Sequence, residues 1–129
     1  MNHPNSFPKQ EHLCGDKRIS RLFAEGEAFI AYPLRVVFRT EPLAGNVPAS
    51  VLVSVPKKRF KRAVKRNRLK RLMREGYRLN KQELAALLKD KGLHMDISFT
   101  YIADEVLEFA QIEKKMKAAL QKLMATINS

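Results

Sequence analysis

Twelve Lys and Arg residues fall in the twenty-two positions from Lys57 to Arg78, with Glu75 the single acid among them. The remainder of the chain holds thirteen basic and twelve acidic residues, so the formal charge of +12 divides into +11 from this segment and +1 from everything else. Like charge at that density belongs on a surface, here carried by an otherwise nearly neutral body. The second half of the segment is also two-faced. Leu69, Leu72, Met73 and Tyr77, with Gly76 among them, recur at helical spacing and form one apolar stripe. Asn67, Arg71, Arg74 and Arg78, related by steps of four, three and four, form a second stripe on the opposite side. The pattern predicts a helix from Arg66 to Arg78 that anchors itself by Leu and Met and presents Asn and Arg outward. Upstream the phase breaks, and Phe60 to Val64 reads either as a turn or as a helical start packed on a different neighbour.

The rest of the chain supplies what such a helix would pack on. Leu34 to Arg39 reads as a strand, with Leu34, Val36 and Phe38 on a core face and Arg35, Val37 and Arg39 on a mostly exposed one. Ser50 to Val55, ended by Pro56, and Asp96 to Ile102 read as two more strands, and Glu27 to Tyr32 as a short fourth. Asp16 is placed to cap a short helix over Lys17 to Glu25 that stops at Gly26. Phe109, Ile112, Met116, Ala119, Leu120, Leu123 and Ile127 mark an amphipathic helix suited to covering a sheet. The order helix, strands, helix, strand, helix makes the expected fold an α/β two-layer sandwich. Residues 1–11 carry two prolines and few apolar groups and read as a disordered tail, with residues 12–129 as one α/β domain.

With one cysteine, Cys14, no signal-peptide run and no stretch of transmembrane length, the expectation is a cytoplasmic protein without an internal disulfide. Nothing in the motifs points to catalysis by the protein. His3, His12 and His94 are scattered, metal and phosphate-loop signatures are missing, and Asp96, Asp104 and Glu105 read as surface acids. The basic segment instead suits polynucleotide. Arginine offers a planar fork to phosphate and can stack on a base, while lysine supplies a mobile point charge. Asn67 is not required by charge. Its amide can read a base edge or ribose hydroxyl, or brace the neighbouring arginines.

The run Ser54-Val55-Pro56-Lys57-Lys58, then Ala63-Val64, then Lys65-Arg66-Asn67-Arg68-Leu69-Lys70-Arg71-Leu72-Met73-Arg74-Glu75 resembles the signature of the protein subunit of bacterial ribonuclease P. The likeness extends from about Leu13 to Leu123 and includes Leu22-Phe23-x-x-Gly26. The resemblance implies an α/β sandwich with a left-handed crossover between parallel strands, an exception to the usual hand. It also implies a protein that does no chemistry itself. A catalytic RNA cleaves the 5′ leader from precursor tRNA with bound Mg2+, and the protein binds both RNAs, without a membrane or an obligate protein partner. Carried over by position, the catalytic-RNA contacts are Lys57, Lys58, Lys65, Arg66, Asn67, Arg68, Lys70, Arg71 and Arg74, and the extra basic residues Arg59, Lys61 and Arg62 join them by charge. The leader positions are Ile19, Phe23 and Val37, in a cleft between the first helix and the sheet, and Arg35 is added as a phosphate contact because it shares the strand face of Val37. Ile19 stands where the family often has Phe, Val37 where Tyr is common, and Pro56 where Ser or Ala is usual. A structural RNA-binding protein of ribosomal type is the alternative, and a protein-only nuclease is disfavoured by the missing carboxylate cluster.

Overall fold

The structure, a computed structural model, describes residues 7–128. Four strands form one sheet: β1 (Glu27–Ala31), β2 (Leu34–Pro42), β3 (Ala49–Ser54) and β4 (Leu93–Tyr101), in the spatial order β1-β2-β4-β3. β2 runs antiparallel to both β1 and β4, and β3 is parallel to β4. A parallel pair cannot be closed by a tight turn, and here it is joined through α2 (Ala63–Asn80) and α3 (Gln82–Asp90). α2, α3 and α4 (Phe109–Asn128) lie on one face of the sheet, over a core built from Leu34, Val36, Val53, Ile97, Phe99 and Tyr101. This is the expected α/β sandwich.

The two long helices behave as their patterns require. Leu69, Met73, Gly76 and Tyr77 of α2 are buried, as are Ile112, Met116, Ala119, Leu120 and Leu123 of α4. At Gly76 the helices approach closely, since a Cβ there would lie 3.6 Å from the Met116 Cβ and 3.7 Å from the Glu113 Cα. α2 begins at Ala63, which settles the open reading of Phe60 to Val64. Phe60 is buried against Tyr101, whereas Val64 opens the helix on its exposed side.

Three expectations are corrected. α3 was not read from the sequence, although Leu84 and Leu88, one turn apart, are both buried and Gly92 follows at φ +67°. The outer face of the sheet is not mostly exposed. α1 (Asp16–Glu25) docks on it through Leu22, and Leu13, Leu22 and Val37 form a second small core flanked by Ile19 and Leu52. The tail boundary also moves. Residues 1–6 lie outside the described residues, but Phe7 to Glu11 pack on the domain. Lys9–Glu11 form a 3-10 turn, Leu13 donates its N–H to the Val51 carbonyl at 2.8 Å, and His12 bridges to Val51 beside β3. Beyond this strap, Phe7 tilts onto Tyr77 of α2, and Glu11 pairs with the buried Lys81. The open edge of β3 is thereby covered, which a sheet edge ordinarily requires.

Candidate RNA interface

Of the basic candidates, Lys57, Lys58, Lys61, Arg62, Lys65, Arg68, Arg71 and Arg74 are exposed and Lys70 is half-buried. Lys57 and Lys58 project from the turn after β3, and the others follow the entry to α2 and its outer side. Two arginines are already engaged. The Arg59 guanidinium donates to Asp104 at 2.7 Å. Arg66 donates to the carbonyls of Phe60 and Lys61, both at 2.8 Å, and so fixes the loop that leads into α2. Helical phase explains this second case, because Arg66 sits on the core side of the helix while Asn67, one step on, points to the outer side.

The outer stripe is assembled as its spacing predicts. Asn67, Arg71, Arg74 and Arg78 line one groove of about 340 Å³ together with Glu75 and Phe7. Glu75 accepts from Arg78 at 2.5 and 3.1 Å, and those bonds hold its carboxyl below the usual range, outweighing a small opposing effect of burial. The one acid in the basic segment is therefore neutralised by its own neighbour. Phe7 is the groove residue that sequence reasoning missed. The available signal was Phe7-Pro8 followed by Leu13, an apolar footing inside an otherwise polar stretch.

On the opposite face of the sheet, the leader candidates separate. Phe23 is 47% exposed on α1, and Arg35 is exposed on β2. Ile19 is half-buried and packs on the small core beneath α1. Val37 is a correction. Strand alternation places it on the face shared with Arg35, but α1 covers it with Leu22, leaving 3% exposure and no surface on which a base could stack. The exposed apolar residue of this face is Ile30, 62% exposed on β1 and directly opposite Arg35 in register. The Ser54 and Thr100 hydroxyls, hydrogen-bonded at 3.0 Å, continue the same row across β4 and β3.

α1 is fastened at its other end by a polar cluster. Arg18 donates to Asp96 at 2.5 Å, and the ring of His94 lies 2.8 Å from the same carboxylate oxygen. His94 donates from Nδ1 to the Val47 carbonyl at 2.7 Å. The bond to Asp96 raises the His94 pKa, against the desolvation that opposes it. Burial pushes Asp96 up, but the His94 bond and the charges of Arg18 and His94 bring it below its usual value. Asp96, read as a surface acid, is 2% exposed. The signal was present in the alternation His94, Asp96, Ser98, which puts three polar side chains on the face α1 covers.

Glu41, His94 and Asp96 offer ligand atoms within 4.8 Å of one another, the one such cluster among the described residues. The donor set does not fit Mg2+. That ion prefers oxygen ligands in octahedral array, whereas the Asp96 oxygen is taken by Arg18 and Glu41 lies beside both Arg21 and Arg39. Asp104 pairs with Arg59, and the Glu105 carbonyl accepts from the Tyr101 hydroxyl at 2.6 Å. No described helix is long and apolar enough to cross a membrane.

A model of the protein family described as Ribonuclease P matches residues 7–124. The chain belongs to the ribonuclease P family. The ribonuclease P protein component of Porphyromonas gingivalis strain ATCC 33277 is 43% identical over 131 residues, covering 100% of this chain and 96% of that protein. That of Chlorobaculum tepidum is 35% identical, covering 94% of this chain and 84% of the relative. The fold also matches the solved RNase P protein from Thermotoga maritima, with a TM-score of 0.68 at 23% identity over 87% of this chain and 96% of that one.

Proposed function

We propose that this chain is the protein subunit of a ribonuclease P ribonucleoprotein, binding the catalytic RNA and the 5′ leader of precursor tRNA during tRNA 5′ maturation in the cytoplasm. The observation that carries the reading is the surface from Lys57 to Arg74. Among the described residues, nine of the twelve basic side chains between Lys57 and Arg78 have no internal partner, while Arg59, Arg66 and Arg78 do. A helix left so unbalanced is destabilised by its own repulsion until a polyanion arrives.

In this reading the RNA performs the cleavage. Asp96 and Asp104, two of the acids weighed for metal-assisted hydrolysis, are each held by an arginine. Mg2+ supplies an activated nucleophile and a stabilised leaving oxygen when bound, and it is assigned to the RNA. The protein contributes position and charge. Arg35 and Phe23 are offered to the single-stranded leader and its phosphates, and the turn with Lys57 and Lys58 and the outer side of α2 to the catalytic RNA. Sequencing the RNA that co-purifies with the chain tests the assignment. One structured ribonuclease P RNA is expected, and ribosomal RNA in its place would favour the ribosomal alternative.

A further inference from the structure

Resting on that reading, we infer that Arg18, Asp96 and His94 are positioning residues for the leader, a clamp that fixes where α1 holds Phe23 against the single strand. α1 needs a clamp because its apolar footing is slight. Among the described residues, Leu22 alone is buried along α1, and the small core beneath it is Leu13, Leu22 and Val37 with Ile19 and Leu52 at the margin. The Ser98 hydroxyl, on the same sheet face and fully buried, has no hydrogen-bond partner among the described residues. A contact that buries one large side chain beside an unsatisfied hydroxyl gains little by closing. The start of the helix has no side-chain cap, since Gly15 stands at that position.

The polar contacts of Arg18 reach the rigid part of the molecule. Its guanidinium donates to Asp96 at 2.5 Å and lies 3.0 Å from Nε2 of His94. Asp96 and His94 are buried on β4, an interior strand paired on both sides, and His94 is braced in turn by Val47. A charge-assisted bond to a carboxylate held in this way is strong and directional. Arg21, farther along the helix, adds only a partly exposed pair with Glu41 at 3.6 Å, which contributes little. The far end of α1 is pinned at Gly26, which donates its N–H to the Leu22 carbonyl and is pressed so closely on β2 that a Cβ would fall 2.8 Å from the Phe38 carbonyl oxygen. Phe23 lies between these two fixed points, about 7.5 Å along the axis from Arg18. A binding side chain has to be held to within about 0.5 Å by its supporting contacts. With the clamp open, α1 is free to swing about Gly26, and Phe23 swings with it.

The experiment reconstitutes holoenzyme from ribonuclease P RNA and full-length wild type, Arg18→Gln, Arg18→Lys, Asp96→Asn or Leu88→Ala, and measures competition between leader-bearing and leaderless tRNA. Thermal unfolding shows that each variant is folded and ranks their stabilities. Arg18→Gln and Asp96→Asn should each lower the preference for the leader about fivefold to hundredfold, the range set by one stacked base. Arg18→Lys should recover part of that loss. Leu88→Ala, a core truncation on the opposite face of the sheet, should keep the wild-type preference at an equal or greater loss of stability. In a Phe23→Ala background, Arg18→Gln should lower the preference by no more than about twofold further, because both act through one contact. Asp96→Asn separates positioning from direct contact, since it frees Arg18 without removing it. Undiminished leader preference in folded Asp96→Asn would make Arg18 a phosphate contact and overturn the inference. Wild-type preference in Arg18→Gln also overturns it. Arg18 is 42% exposed, so that variant is decisive even where Asp96→Asn does not fold. A loss in Leu88→Ala equal to that in Arg18→Gln overturns it too, by reducing the clamp to stability alone. These results leave the proposed function intact, whereas a wild-type holoenzyme with no preference for the leader overturns the leader assignment itself.

Discussion

Removal of Arg71 and Arg74 together should weaken RNA binding chiefly through its salt dependence, and by an amount that the structure sets. Nine partnerless cations lie between Lys57 and Arg74 among the described residues. At roughly 0.7–0.9 of slope per phosphate neutralised, nine contacts give a slope of about −6 to −8. Affinity should then fall about 10⁴- to 10⁵-fold between about 50 and 200 mM monovalent salt. Arg71→Gln/Arg74→Gln should reduce the slope by about 1.4–1.8. Arg59→Gln should change it by well under one contact, because Asp104 at 2.7 Å is already the counter-ion of Arg59. Arg66→Gln should act differently again. It releases the Phe60 and Lys61 carbonyls, at 2.8 Å each, and so should lower stability by about 1–3 kcal/mol. Filter binding or fluorescence titration at several salt concentrations, paired with thermal unfolding, separates the three. Equal slope losses for Arg59→Gln and the double variant would refute the division into paired and free charges.

Five further outcomes are expected. Gly76→Ala should stabilise the protein by up to about 1 kcal/mol in denaturant titration, since alanine favours the helix and its Cβ meets Met116 and Glu113 at ordinary contact distance. Gly26→Ala should instead destabilise it, because its Cβ would fall 2.8 Å from the Phe38 carbonyl oxygen. Replacing Phe23 or Arg35 should weaken binding of leader-bearing over leaderless tRNA to the holoenzyme, measured by competition. Val37→Ala should cost about 1–3 kcal/mol of stability with no such discrimination, as a buried apolar truncation. The Arg18–Asp96–His94 latch should make stability depend on pH. His94 has its pKa raised above 6.5 in the folded state, so its contribution is full below 6.5 and is lost as pH rises through the folded value. Asp96 has its pKa lowered below 3.8, so its contribution is present above 3.8 and lost as pH falls through the folded value. Unfolding curves across pH should show most stability between these limits, and His94→Gln should flatten the fall on the alkaline side.

The parts of this molecule legible in its sequence are those where one periodicity acts alone. The stripes of α2 and α4 were readable because each helix has one buried face and one solvated face. On β2, Leu34, Val36 and Phe38 were readable as the side that packs on the main core. Legibility failed where a second element competes for a face. Val37 looks like a solvent-side residue because Arg35 and Arg39 flank it, and only the docking of α1, a non-local event, buries it. Asp96 and His94 look like ordinary polar residues until Arg18, 78 positions from Asp96, closes over them. Phe7 lies in a segment whose composition reads as disordered, yet its stacking partner and its helix partner are supplied by His12 and Tyr77. In the interface itself, spacing gave the groove stripe of Asn67, Arg71, Arg74 and Arg78. It did not reveal that Arg59 and Arg66 are committed internally, since their partners are Asp104 and backbone carbonyls.

On the proposed reading this protein serves a catalytic RNA and does not itself cut. Cleavage of a 5′-labelled precursor tRNA at low Mg2+ tests it most directly, with the chain alone, the ribonuclease P RNA alone, and the two together. An intact precursor is expected with the protein alone, little cleavage with the RNA alone, and release of the 5′ leader at a single site when both are present. Leader release by the purified protein without RNA, or no gain on adding the protein to the RNA, would contradict it.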